Sequence, residues 1–359
     1  MKKIIFSNNY FKQKYSLIAI SVVLFFVVTG LLLVGIDKVV NRKNGSIAGG
    51  MSEDELREKI DRGDLLRRKI DGVFVEKGKE NLPVIAAMIN NHIDARPTIG
   101  LAQANVVYEA EVEGGITRLM ALYASEENLE EIGSIRSARP YFLEWVNEYD
   151  ALYVHCGGSP EALVQIIKDD IWDLNEFYNG KYYWRDTARS APHNIYTSTE
   201  KLNNYFEAKN IQVGNYSPWK YKDDLHLEAR PASSSVEVFY RLKSFIVEWR
   251  YEKSSNTYAR YVAGELQKEK NGEYLSAKNI IIQTADAEVL DEKLRLRMDV
   301  IGDGDAIVCM DGTCESGEWR KKRKTSRTRY FNFSDQEFEF NAGATWIQVV
   351  RPEIRVEVN

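Results

Sequence analysis

Between Asn105 and Tyr196, four short blocks gather Gly, Arg, Glu and His between apolar runs: YEAEVEGGITR from Tyr108, IGSIRSARPYF from Ile132, YVHCGGSPEA from Tyr153 and YYWRDTARSAPHNIY from Tyr182. In the first block Glu109, Glu111 and Glu113 alternate along a strand and therefore face one side. Such a row repels itself unless cations offset it. A two-residue turn at Gly114-Gly115 would set Glu111 across from Arg118 as an ion pair. Charged strand faces are usually solvated. If Glu109 or Glu113 instead faces a cleft, it becomes a candidate acid, base or ligand.

The next blocks carry the cations. Arg136 and Arg139 are three apart, and Arg185 and Arg189 four apart. Guanidinium suits bidentate recognition of phosphate or carboxylate. Facing one pocket with Arg118, these side chains need an anionic ligand, with Tyr141 or Trp184 able to stack on it. Asp186 and the hairpin glutamates supply the competing arrangement, an internal ion-pair network. Gly157-Gly158-Ser159 ends an apolar strand and opens a helix, where backbone N–H groups favour an anion. A plain tight turn uses the same residues. His155 closes that strand, and His193 follows Pro192 on a loop, so both are candidate acid-base groups alongside Glu109, Glu113 and Asp186. Cys156 points away from His155 along the strand and reads as a small buried hydrophobe rather than a nucleophile. Neither histidine has metal-ligand spacing to another, so no metal and no cofactor are expected.

These blocks need elements to hold them. Leu82–Asn90, Asn105–Glu113 and Ala151–Cys156 read as strands, with helices from about Ala138 to Tyr149 and from Ser159-Pro160 onward. That order predicts an α/β (or α+β) domain over 71–222. The polar stretch 223–235 reads as a linker. Over 236–359, short alternating runs broken by Gly, Asn and Asp predict an all-β domain, sandwich-like or barrel-like. Its Trp319 and Trp346 belong in a core. Cys309 and Cys314 flank an Asp311-Gly312 turn, where a disulfide and two free thiols are both open. Arg320 to Arg329 carries seven cations in ten residues. It reads as an exposed hairpin or edge, which guards against edge pairing or meets acidic polymers.

Leu17–Ile36 is a run of 20 residues without a charge, long enough to cross a bilayer as a helix. No small-residue cleavage site and no Cys follows it closely, so it reads as a transmembrane signal anchor. Lysines at 2, 3, 12 and 14 make 1–16 a cytoplasmic tail and send the body outside the cell membrane. Residues 37–70 then form a tether and a short charged helix. The chain carries −5 in all. The first 16 residues hold +4, which leaves −9 for the rest and excludes general nucleic-acid binding.

The segments ARPTIGLAQANVVYEAEVEGGITRLMALY, IGSIRSARPYFLEWVNEYDALYVHCGGSP and YWRDTARSAPHNIYTS resemble the YerB-like family of candidate bacterial lipoproteins, domain of unknown function 3048. GDGDAIV and NAGATWIQVV extend the resemblance into the β-rich part. It implies a two-domain envelope protein with an α/β N-terminal part, and it carries no activity. Relatives look lipidated at a Cys, whereas this chain has its apolar span. Three functions stay open. The first is binding of an anionic envelope ligand, a polymer or a lipid-linked phosphate. The second is hydrolysis or transfer on an envelope glycan or phosphodiester. The third is a scaffold that offers a β edge of 236–359 to a protein partner.

Overall fold

The computed structural model describes residues 62–126, 128–211 and 213–359. The expected cytoplasmic tail, the span Leu17–Ile36 and most of the tether lie outside them. Among the described residues no helix is long and apolar enough to cross a membrane.

The first part gives the main sheet the strands β1 (Val84–Asn90), β2 (Val106–Glu111), β3 (Thr117–Ala124), β4 (Leu152–His155) and β5 (Asp173–Asn175). Between and after them run helices α1 (Pro140–Tyr149), α2 (Pro160–Lys168) and α3 (Thr199–Lys209). Both inner helices start as their residues dictate. Pro140 and Pro160 take the first turn, and the Ser159 hydroxyl accepts the Ala162 N–H at 3.3 Å. The later part contributes β6 (Ser235–Phe239), β7 (Val247–Glu252), β8 (Thr257–Val262), β9 (Asn279–Thr284), β10 (Gly302–Met310), β11 (Thr313–Lys321), β12 (Arg329–Asn332), β13 (Thr345–Val350) and β14 (Arg355–Val358). Among the described residues the chain is β-rich, with the longer helices confined to the first part.

Ten strands form one sheet in the order β12-β11-β10-β9-β13-β2-β3-β1-β4-β5. Strand β13, from near the end of the chain, lies parallel to both β9 and β2 and joins the two parts into one sheet. The central strands are apolar on both faces because both faces are covered. On one face Ala86, Met88, Tyr108 and Leu122 pack against Phe142 and Trp145 of α1 and Ile166 of α2. On the other, Ile85, Ile89, Val107 and Leu119 pack with Val236, Val238, Trp249 and Tyr258 of a second sheet. That second sheet is built on β8-β7-β6-β14 and makes the β-rich part sandwich-like.

Glu109 faces this second interface and is fully buried. Its carboxylate pairs with Arg260 of β8 at 2.6 Å and accepts from Thr117 Oγ1 at 2.7 Å, Asn91 Nδ2 at 3.2 Å and Trp346 Nε1 at 3.2 Å. Arg260 also lies over the Trp346 ring, 4.7 Å from its centre. Glu111, on the same face, pairs with Arg351 at 2.6 Å. The predicted Glu111–Arg118 pair does not form. The turn spans three residues, Glu113–Gly115, with Val112 N–H bonded to the Ile116 carbonyl at 2.7 Å. Register therefore sets Glu111 against Thr117 and Arg118 against Ala110, and Arg118 emerges on the helix side of the sheet.

The stretch read as a linker is tied down beside Asp311. That carboxylate accepts from the Leu225 N–H at 3.2 Å, Asn256 at 2.7 Å and Asn341 at 2.8 Å, and pairs with Lys222. Cys309 and Cys314 are cross-strand partners and form a disulfide. Trp319 and Trp346 are buried, as expected. The cationic run is not simply an exposed edge. Lys321 is buried and pairs with Glu148 of α1 at 2.9 Å, and buried Arg327 lies 3.9 Å from the Tyr149 ring and 3.7 Å from the Trp219 ring.

Arg260→Met leaves Glu109 charged and uncompensated inside the core. We expect a loss of about 3–5 kcal/mol in unfolding free energy, read by urea denaturation. Glu109→Gln added to Arg260→Met recovers part of it.

Candidate functional site

The register that separates Arg118 from Glu111 brings it to two other arginines. Segment 136–139 runs beside the turn at 156–159. The Cys156 N–H donates to the Arg136 carbonyl at 3.0 Å, Ala138 N–H to Gly157 at 3.0 Å, and Ser159 N–H to Ala138 at 3.2 Å. Gly158 permits this approach, since a Cβ there would meet Ala138 Cβ at 3.2 Å. The segment is thereby fixed under the tip of the β2-β3 hairpin. Arg139 grips Glu113 with both arms of its guanidinium, Nη2 donating to Oε2 at 2.9 Å and Nε to Oε1. Arg118 donates from Nη1 to the Ser137 carbonyl at 2.7 Å. Half-buried Arg136 donates to the Pro192 carbonyl at 3.3 Å, and its Nε is buried without a partner.

Three guanidinium groups thus gather near one carboxylate, and only Arg139 pairs with it. Arg118 is only 6% exposed and has no ion-pair partner among the described residues. Burial, then the charges of Arg139 and Arg136, push it down to about 9, which leaves it cationic at neutral pH. Burial and Arg139 likewise lower Arg136. Burial alone would raise the Glu113 carboxyl, but the hydrogen bond and charge of Arg139 and the charge of Arg118 hold it below its ordinary value. The cluster is an unbalanced positive site whose field an anion would relieve.

The other predicted residues are placed differently. Arg185 pairs with Glu176 at 2.9 Å, and Arg189 donates to the Ala95 and Pro97 carbonyls at 2.8 and 3.0 Å. These two arginines secure loops. Asp186 accepts the Ala188 N–H at 2.8 Å within its own turn. His155 is buried. Its Nδ1 faces the Gly157 carbonyl at 2.7 Å and its Nε2 the Asp173 carboxylate, so neither ring nitrogen is left for a substrate. In the Gly157-Gly158-Ser159 turn, the Gly157 N–H is taken by Asn175 Oδ1 at 3.0 Å and the Ser159 N–H by Ala138, so two of its three donors are not offered to a ligand. Glu109, locked in its ion pair, faces no cleft. Burial, then Glu176, pushes the Cys156 thiol up to about 11, far from a nucleophile. The Tyr141 hydroxyl is spent on the Glu111 carbonyl at 2.6 Å, and Trp184 lies along Tyr196 with ring centres 6.2 Å apart.

His193 meets His92, far off in sequence, with rings stacked 5.1 Å apart, and with Asp94 they present ligand-type atoms within 4.8 Å of one another. Asn90 Nδ2 lies 2.7 Å from His193 Nδ1. Burial, then the charges of Arg136 and His92, lower the His193 ring below its ordinary value, which marks surroundings hostile to a cation. Sequence reading missed His92, Asp173, Glu176 and Arg260, since no local pattern marks a partner that arrives from another strand or loop.

The chain is a two-part protein of a family without assigned chemistry. It belongs to the DUF3048 family: the model described as the N-terminal domain of this protein of unknown function matches residues 72–212, and the C-terminal domain model matches residues 236–347. It is 30% identical over 293 residues to the Bacillus subtilis (strain 168) protein called "Putative lipoprotein YerB", covering 79% of this chain and 86% of that one. The crystal structure of the Bacillus subtilis YerB protein superposes with a TM-score of 0.72 at 26% identity, over 81% of this chain and 99% of that chain. Arg118, Arg136, Arg139 and Glu113 all lie within the first matched segment.

Because Glu113 titrates below its ordinary value in the folded protein, its ionisation stabilises the fold above about pH 4.3, and that contribution is lost as pH falls through the lowered value. The melting-temperature gap between the wild type and Glu113→Gln should stay constant from neutral pH to about pH 5 and close below about pH 4.3. A gap that persists in acid would remove Glu113 as the ionised partner of Arg139. Cys156 should resist iodoacetamide at pH 8, with labelling rising only toward strong alkali.

Proposed function

We propose that this protein is a membrane-attached extracytoplasmic binder of a phosphate- or carboxylate-bearing envelope ligand, held by Arg118, Arg136 and Arg139. The observation that carries this reading is Arg118, nearly buried and without an acid partner among the described residues, beside Arg136 and Arg139, of which only Arg139 pairs with an acid, Glu113. Bidentate guanidinium groups in a partly dried site give an anion charge-assisted bonds that exposed cations do not. A role as hydrolase or transferase finds less support, because His155 and Glu109 spend their polar atoms on the protein itself. Attachment to the membrane rests on the apolar span Leu17–Ile36 and on the name of the Bacillus subtilis relative, a lipoprotein. In this reading the tail 1–16 is cytoplasmic and the body lies outside.

Calorimetric titration of the full-length chain with inorganic pyrophosphate tests it. We expect saturable binding that weakens about tenfold or more in Arg118→Gln, the loss of one charge-assisted contact being worth about 1.5–3 kcal/mol. Arg136→Gln, at a half-buried position, should weaken it comparably without unfolding the chain, whereas Arg185→Gln should not. No binding by the wild type, or equal binding by all four proteins, overturns the reading.

A further inference from the structure

Beyond the end of β2, beside the hairpin tip, lies a cavity of about 230 Å³. The hairpin tip at Gly114-Gly115, the turn after β6, the hairpin before β10 and Arg351 after β13 enclose it. Its floor is charged. Glu111 is 1% exposed; its Oε2 takes Arg351 Nε at 2.6 Å, and its Oε1 has no hydrogen-bond partner. That oxygen is itself shielded from solvent and lies 3.8 Å from where a Cβ on Gly115, a lining residue, would sit. The neighbouring cations are already paired, since Arg351 Nη1 and Arg241 Nη2 both reach Glu353 Oε1 at 2.9 Å. The walls and mouth are mainly apolar, with Arg241 and Arg351 also on the lining. Leu296 is buried, while Leu242, Val289 and Leu294 stay 39%, 49% and 47% exposed.

A buried carboxylate oxygen without a donor carries an uncompensated desolvation cost, and exposed aliphatic side chains around it form a surface that water covers poorly. One ligand chemistry answers both: a donor-only head for the oxygen and an aliphatic stem for the walls. The volume falls below the roughly 300–1,000 Å³ of pockets that take drug-sized molecules. It suits a group the size of one side chain. An anionic head is repelled by Glu111, and a hydroxyl head would satisfy the oxygen without using its charge.

We propose that this cavity binds a primary ammonium on a short aliphatic chain, such as a lysine-like side chain or a diamine, with Glu111 Oε1 accepting its N–H and Leu242, Val289 and Leu294 flanking its methylene groups. The site shares no lining residue with the cluster of Arg118, Arg136 and Arg139, and stands whether or not that cluster binds an anion.

The test is a calorimetric titration of the full-length chain with cadaverine, with hexanoate and 1-pentanol as stems of matching length bearing an anionic or neutral head. We expect saturable cadaverine binding and at least tenfold weaker binding of the other two. Glu111→Gln removes the charge and should weaken cadaverine at least tenfold. Because Glu111→Gln also disturbs the Arg351 pair, Val289→Trp at the exposed mouth provides a second variant. It fills the cavity without touching Glu111 and should abolish binding at an unchanged melting temperature. No cadaverine binding by the wild type, equal affinity for hexanoate, or undiminished binding by a folded Val289→Trp protein each overturns the proposal.

Discussion

Everything else in this fold leans on one buried charge pair, Glu109 with Arg260. Neither side chain reaches solvent, and the pair spans the interface between the central sheet and the smaller sheet. Two bare charges there would cost several kcal/mol each to desolvate. Asn91, Thr117 and Trp346 complete the hydrogen bonds of the carboxylate, and the Trp346 ring lies under the guanidinium. Removing either partner strands the other, so the residues from both family segments are obliged to meet in one arrangement. Specific pairing of this kind selects a single register where apolar packing alone would tolerate several.

The same logic explains the row of glutamates along and just beyond β2. Each is neutralised by an arginine from a different part of the chain: Arg260 for Glu109, Arg351 for Glu111 and Arg139 for Glu113. The first pair is closed off between sheets, and the second borders the cavity beside the hairpin tip. The third sits at the hairpin tip, where Arg118 and Arg136 arrive without acids of their own. The proposed anion site falls where cations outnumber their acids, which is why that proposal rests on Arg118 and not on Arg185 and Arg189, whose contacts secure loops.

Local features were legible in the sequence. Pro140, Ser159 and Pro160 announced the starts of α1 and α2, and alternation announced the strands of the β-rich part, because these signals act over one helical turn or one strand. The row of carboxylates was also visible, as was its need for compensation. The identity of the compensating groups was not. Arg260 and Arg351 lie more than a hundred residues away and are selected only when β8 and β13 assemble. The pairing of Glu111 with Arg118 failed on a single residue of loop length, since a turn of three rather than two exchanges the faces of β3. The cationic run 320–329 misled for a related reason: Lys321 and Arg327 look like solvated charges until α1 brings Glu148 to them.

The position of β13 has a consequence for how the chain is made. This strand leaves the ribosome after the other nine strands of its sheet, yet it fills the gap between β2 and β9 at the centre of that sheet. Until Thr345–Val350 emerges, β2 keeps an unpaired edge, and the carboxylate of Glu109 lacks the indole of Trp346. Nascent chains of every shorter length therefore present an open strand edge to their neighbours. Such an order of synthesis favours slow, late closure, dominated by contacts distant in sequence. A frameshift or proteolytic cut that removes only the last few strands would be felt in the first half of the molecule, far from the lesion along the chain.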